Sequence, residues 1–348
     1  VFISSKKNTS FGLDLGARWV KLVGLKKKGK KVVLDRVGRG LFSEEQRGSD
    51  EFVKHLEAFF KSLGIKKKEV VNTSFSGQSV IVKRVVFKAK DEDDLEKVVF
   101  KEAKQYIPFD INDVVLDYQI MKSKKQEKGF EVYLVACKKQ LVENLNELFK
   151  RAQIKIDVID LDAFALANVF EFNYPEEMDK SSFLFDIGEK QSIFAVFSEG
   201  ELSIFREMPF GGANLTLRIA EGLNLSLEEA ERIKLEGATN LEAAQKTLVS
   251  KVIQEEIENW VGEVRKVINF YATTYPKAQE IKKVFLSGGS AHILSLEESL
   301  SREFSLNVDY LDPWRKIEKS AKSFDLKYLD EIKRQMVVAT GLALRGVF

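Results

Sequence analysis

Asp14 and Asp186 each sit at the end of an apolar run, and each stands two residues before a glycine. The stretches are Phe11–Leu25 (FGLDLGARWVKLVGL) and Phe183–Phe197 (FLFDIGEKQSIFAVF). A carboxylate at a strand end can hold a hard cation such as Mg²⁺, and a glycine turn lets backbone N–H groups approach a phosphate. The two aspartates are 172 positions apart, close to half of the 348-residue chain. That period points to a duplicated fold with one such hairpin per lobe. Gly211-Gly212 and Gly288-Gly289-Ser290 follow strand patterns and precede helical ones. Helix starts of that kind also favour phosphate. Each turn alone is ordinary; the repeated pair, with a strand-Gly-Gly-helix near the C-terminus, is a much stronger signal together.

The rest of the composition excludes several classes. A chain of 348 residues, 44% hydrophobic and 31% charged, is long enough for about two packed domains. A formal net charge of +2 does not argue for nucleic acid. The lysine clusters 26–31, 66–68 and 122–128 lie beside turns and read as solvated loops, with acidic headgroups or an acidic partner as the sharper alternative. Cys137 is the sole cysteine, so no intramolecular disulfide forms, as suits a reducing cytoplasm. It lies in an apolar strand pattern and reads as a buried structural thiol. One Cys and two His, His55 and His292, exclude a Cys/His metal site. No apolar run approaches the ~20 residues of a bilayer span. The first ten residues lack a signal-peptide core, so membrane association is expected only through a partner.

The elements that must position these residues follow from periodicity. Alternation predicts strands over 11–15, 19–26, 31–42, 70–75 and 80–87, then a hairpin of 114–121 with 130–137, and strands at 154–159, 201–208, 283–287 and 308–311. Apolar residues at 3–4 spacing predict helices over 52–63, 91–107, 139–152, 162–172, 227–234, 241–275 and 336–345, one from Ala213, and one from Ser290 through Phe304. Helix 139–152 is expected to bury Leu141, Val142, Leu145, Leu148 and Phe149. Segment 80–152 reads as a compact unit inserted in the first lobe, and 174–182 as the linker between lobes.

These motifs together resemble the actin, chaperone and sugar-kinase ATPase superfamily. More closely, the chain is similar to the PilM family, cytoplasmic actin-like proteins of type IV pilus machines related to FtsA. The likeness runs from Phe11 to the C-terminus. It is carried by GLDLGARWVKLVGL (12–25), SGQSVIVKRVVF (76–87), EAKQYIPFDINDVVLDYQI (102–120), VIDLDAFALANVFE (158–171), FDIGEKQSIFAVF (185–197), MPFGGANLT (208–216), LEEAERIK (227–234), VFLSGGSAHILSLEESL (284–300) and ATGLALRG (339–346).

The resemblance implies a two-lobed α/β fold of duplicated ribonuclease-H-like lobes. Residues 1–10 would be a tail, 11–79 and 153–180 the first lobe, and 80–152 an inserted partner-binding subdomain. Residues 181–212 and 276–348 would be the second lobe, with 213–275 its helical subdomain. It implies ATP or ADP with Mg²⁺ in the cleft. Asp14, Gly16, Ala17, Arg18, Lys21, Asp186, Gly188, Gly211 and Gly212 would meet the phosphates, with Asp14 and Asp186 near Mg²⁺. Glu231, Lys234, Gly288, Gly289 and Ser290 would meet the adenosine. The bland alternative for Glu231 and Lys234 is a surface i, i+3 ion pair. The implied partner is the N-terminal peptide of a PilN-like inner-membrane protein. Other pilus platform proteins and motor ATPases are further partners, at the cytoplasmic face of the inner membrane.

Two departures bear on turnover. Relatives carry Ser or Thr after each Asp-x-Gly, whereas this chain has Ala17-Arg18-Trp19 and Glu189-Lys190-Gln191. Glu189 would set negative charge beside a polyphosphate. Efficient hydrolysis is therefore not expected, and no catalytic residue is assigned. The alternative readings are a small-molecule kinase, with Asp157, Asp160 or Asp162 as base, an FtsA-like division protein, and a type II secretion assembly protein.

Overall fold

The computed structural model describes residues 9–42, 46–67, 69–76, 80–121, 129–276, 278–293 and 295–347. The first half runs β1 (Ser10–Leu15), β2 (Trp19–Lys28), β3 (Lys31–Leu41), α1 (Asp50–Ser62), β4 (Val70–Phe75), β5 (Val80–Phe87), α2 (Glu92–Glu102), β6 (Val114–Ile120), β7 (Phe130–Lys138), α3 (Lys139–Arg151), β8 (Lys155–Leu161) and α4 (Asp162–Asn173). The second half runs β9 (Ser181–Ile187), β10 (Ser192–Ser198), β11 (Glu201–Met208), α5 (Gly212–Leu223), α6 (Leu227–Glu236), α7 (Ala243–Thr274), β12 (Ile281–Ser287), α8 (Leu296–Phe304), β13 (Asn307–Tyr310), α9 (Leu326–Ile332) and α10 (Val337–Leu344).

The duplication is visible in the sheets. One has the order β3-β2-β1-β4-β8, the other β11-β10-β9-β12-β13. In each, an antiparallel hairpin supplies the central strand, which then pairs in parallel with a later strand: β1 with β4, β9 with β12. Strands β9 and β10 are buried along their whole length, because helices and the other lobe cover both faces. A third sheet, β5-β7-β6, is antiparallel and has its own core around Phe87, Leu95, Val99 and Val132. The hairpin expected from 114–121 and 130–137 is present, and its lysine-rich connection 122–128 falls outside the described residues.

Local chemistry explains the helix starts. Ser49 Oγ accepts from Phe52 N at α1, Asp91 Oδ1 from Asp94 N at α2, and Ser226 Oγ from Glu229 N at α6. Two elements pack differently from the reading of the sequence. Within 80–152, α3 places Leu148 and Phe149 in the first lobe's core beside Phe11 and Leu13. Its Leu141, Val142 and Leu145 are only half-buried, because that face looks onto cavities. Within 276–348, α10 packs on β1, β2, β4 and α4 of the first lobe, while Thr340 Oγ1 accepts from Trp314 Nε1 at 3.1 Å. All eight residues of α10 are buried. Gly341 permits the approach: a Cβ there would lie 1.9 Å from the Ala165 carbonyl oxygen of α4.

Candidate functional site

A cavity of about 1120 Å³ opens between the lobes at the ends of the two central hairpins. Asp14, Gly16, Ala17, Arg18, Lys21, Asp186, Gly188, Glu231, Lys234, Gly288, Gly289 and Ser290 all line it. Twelve of the fourteen residues expected at a nucleotide site therefore meet in one place.

The register of the first hairpin puts Lys21 opposite Asp14, and Lys21 Nζ lies 2.5 Å from Asp14 Oδ2. Asp186 has Ile193 opposite it, and its carboxylate accepts from the Ser287 hydroxyl at 2.6 Å. Burial, opposed by that hydroxyl and by Lys21, pushes Asp186 up to about 6. The turns themselves match. Gly16 N donates to Trp19 O at 3.1 Å, and Gly188 N donates to Gln191 O at 2.9 Å. Gly288 has φ +91, and a Cβ there would lie 2.3 Å from Ile187 O, so the floor beside β9 accepts only glycine.

Gly211 and Gly212 differ from expectation. They lie outside the cavity lining, and their donors are taken. Gly212 N donates to Gly188 O at 3.0 Å, Ala213 N to Glu189 O at 2.8 Å, and Gly211 N to Asn214 Oδ1 at 3.2 Å. The start of α5 is thus bonded to the β9–β10 turn rather than free for an anion.

Glu231 and Lys234 form no surface pair. Glu231 is 5% exposed, and Lys234 Nζ lies 2.6 Å from its carboxylate. Lys234 Nζ also donates to Gly212 O and Thr216 Oγ1, and Thr216 Oγ1 donates to Glu231 Oε2 at 2.5 Å. Burial opposes ionisation of Glu231, but the Lys234 hydrogen bond and charge outweigh it and hold the carboxyl below its usual range. Arg18 reaches across the cleft, with Nη1 3.3 Å from Glu231 and 3.9 Å from Glu189. Burial raises Glu189 above the usual carboxylate range.

Some lining residues carried no sequence signal. Arg47 Nη2 donates to Leu15 O at 2.8 Å and Gly16 O at 2.9 Å, clamping the first turn from a segment 31 residues away. Arg39 stacks 4.5 Å over the Trp19 ring, which explains how a bulky side chain is accommodated at that turn. The three candidate bases separate. Asp157 is exposed, and Asp160 is buried and paired with Arg345 at 2.7 Å. Asp162 lines the cavity and accepts from Ser74 Oγ at 2.5 Å. Burial and then the Asp14 charge raise it well above the carboxylate range.

Among the described residues no group of three or more His, Cys, Asp or Glu is arranged to hold a metal. Asp14 and Asp186 fit Mg²⁺ only as two oxygen donors whose set a nucleotide's phosphates would complete.

A second cavity, about 1200 Å³, lies where β6 and β7 of the third sheet face β8, α4 and the start of β11. Its wall includes Val115, Tyr118, Tyr133, Phe164 and Leu202. Four carboxylates, Asp117, Asp160, Glu171 and Glu201, stand there against two cations, Lys316 and Arg345. Cys137 lies on the same wall, buried, with its thiol raised by burial. The Tyr133 hydroxyl donates to Leu202 O at 2.7 Å, tying the third sheet to the second lobe. No helix among the described residues is long and apolar enough to cross a membrane.

Comparison with known proteins identifies the family and the fold. The family model described as type IV pilus assembly protein PilM matches residues 12–347. A solved PilM-PilN type IV pilus biogenesis complex contains a chain of the same fold. Its TM-score is 0.83 at 24% identity, covering 99% of this chain and 100% of that one. The ethanolamine utilization protein EutJ of Carboxydothermus hydrogenoformans shares the fold at TM-score 0.56 and 17% identity, covering 97% and 90%. Among curated sequences, the cell division protein FtsA of Bacillus subtilis (strain 168) is 37% identical over 101 residues, 29% of this chain and 22% of that protein. FtsA of Agrobacterium fabrum is 23% identical over 205 residues, 52% of this chain and 45% of that protein. The matched segments thus span less than half of these curated relatives. The chain has the two-lobed actin-like fold.

Proposed function

We propose, for a chain that belongs to the PilM family of type IV pilus assembly proteins, that it is a scaffold which holds an inner-membrane partner at the pilus base. The carrying observation is the family match from residue 12 to residue 347. The solved relative is a complex of PilM with PilN. By that analogy the partner is the short cytoplasmic N-terminal peptide of a PilN-like membrane protein. The second cavity suits it: an apolar wall with an excess of carboxylates accepts an extended apolar peptide bearing basic residues. Segment 80–152 supplies one side of that groove, as a partner-binding subdomain.

In this reading the interlobe cavity takes ATP or ADP with Mg²⁺. The fit rests on the glycine turns at Gly16 and Gly188, which offer backbone without side chains. It rests equally on Asp14 and Asp186 at the strand ends and on the glycine floor at Gly288. Bound nucleotide would supply charge that ties the lobes and tunes the groove. Turnover is slow or absent, because neither Asp-x-Gly is followed directly by Ser or Thr, and only Ser192 is left in the second loop. The protein works at the cytoplasmic face of the inner membrane, attached through its partner. Other platform proteins and motor ATPases meet it there.

The test is fluorescence anisotropy with a labelled N-terminal peptide of the adjacent PilN-like protein. Binding is expected, and Val115→Asp, at an exposed wall position, is expected to weaken it at least about tenfold. A folded protein that does not bind the peptide removes the scaffold reading.

A further inference from the structure

Two cations on the cavity wall are already committed. Lys234 Nζ lies 2.6 Å from Glu231 and 3.9 Å from Glu189, and Arg18 Nη1 lies 3.3 Å from Glu231 and 3.9 Å from Glu189. All four side chains line the cavity. The N–H groups of Gly212 and Ala213 are bonded to the carbonyls of Gly188 and Glu189. A polyphosphate recognises guanidinium, ammonium and helix-start N–H groups. Here each of them meets an oxygen of the second lobe instead.

The group is electrically balanced, two carboxylates against two cations, and it crosses the cleft. Arg18 stands in the first lobe's turn, and the other three stand in the second lobe. Lys234 and Glu231 are screened from bulk water, at 4% and 7% exposed, while Glu189 and Arg18 are 23% and 34% exposed. Charge interactions there are stronger than at an open surface. An arriving phosphate gains Arg18 only by taking it from Glu231 and Glu189. Glu189, a like charge, lines the same cavity. A bare nucleoside brings no such charge.

We propose that Arg18, Glu189, Glu231 and Lys234 form a clasp across the cleft that a nucleotide's phosphates must open. Glu189 is then the residue that sets how far phosphate-bearing nucleotides are disfavoured against the nucleoside. The clasp also joins the lobes in the nucleotide-free protein, the work that nucleotide performs when bound. This rests on the reading of the cavity as a nucleotide site.

The experiment is calorimetric titration of the full chain with ATP, ADP and adenosine in Mg²⁺, comparing wild type with Glu189→Gln. Gln keeps the size and the backbone bonds, and Glu189→Ser is a second variant should Gln misfold. The expected result is ATP affinity raised about tenfold, ADP affinity raised less, and adenosine affinity unchanged. Arg18→Gln is expected to enlarge the nucleotide-free protein's radius of gyration in small-angle scattering. If wild type binds ATP and Glu189→Gln leaves the ATP-to-adenosine ratio unchanged, the clasp is overturned and the nucleotide site stands. An Arg18→Gln protein of unchanged dimensions overturns the lobe-joining half. Absence of ATP binding by both proteins at millimolar concentration overturns clasp and site together, without touching the peptide reading.

Discussion

The two central hairpins share a backbone and differ in chemistry. Both present an aspartate, a residue, a glycine and a tight turn closed by an N–H to carbonyl bond. The residue opposite the aspartate is Lys21 in the first hairpin and Ile193 in the second. Asp14 therefore has a cation beside it, while Asp186 has a hydroxyl and a burial penalty. Arg18 follows Gly16 by two positions and reaches across the cleft, whereas Glu189 follows Gly188 directly and its backbone carbonyl is bonded to Ala213 N at the start of α5. Duplication preserved what the backbone needs and left the side chains free to diverge. The first turn carries the cations Arg18 and Lys21, and the second carries Glu189.

Substitution at the point where the lobes differ most in packing should have the largest effect. The position equivalent to Leu184 of β9 is Gly12 of β1, where a Cβ would lie 2.1 Å from Ala339 O of α10. Gly12→Leu, which makes the hairpins alike, should cost more than about 3 kcal/mol in chemical denaturation or abolish folding. A loss below 1 kcal/mol would mean that α10 can withdraw from the first sheet.

The aspartate environments can be equalised next. Lys21→Met leaves Asp14 buried with no cation at contact distance and should cost about 2–4 kcal/mol near neutral pH. Adding Asp14→Asn should recover part of that loss in a double-mutant cycle. Independent, additive effects would show that the 2.5 Å pair does not exist in solution.

A smaller effect belongs to Asp186. Its folded value of about 6 lies above the usual carboxylate value, so the native state binds the proton more tightly than the unfolded chain. The resulting stability is fully present below pH ~4 and is lost as pH rises through about 6, a swing on the order of 2–3 kcal/mol. Asp186→Asn should remove that component from the urea-denaturation profile. An unaltered profile would place the titration elsewhere, and Asp162 is then the next group to replace.

What the sequence disclosed was local. The strands 70–75, 80–87 and 201–208 have the bounds their alternation suggests, because turn residues stop them at both ends. The carboxylate-glycine hairpins and the buried Cys137 were legible for the same reason. The failures are all questions of who meets whom. Nothing near Gly211 reveals that its helix start is bonded to Gly188 and Glu189. The apolar stripe of α3 has the same spacing whether it faces a core or a cavity. The short helix Leu326–Ile332 was missed because seven residues offer less than two turns of periodicity. The resemblance supplied the pairing of distant segments that spacing alone could not.

The chain passes between the lobes twice, once through the short 3-10 turn Pro175–Glu177 and once through Lys333–Met336 on its way into α10. The second crossing is pinned where Gly288 N donates to Arg334 O. The two connections are short turns of three and four residues. Helix α4 and strand β10 run from one cavity to the other, with Asp162 and Ile193 at the first, and Phe172 and Phe197 at the second. Each of these two elements therefore forms part of the wall of both cavities.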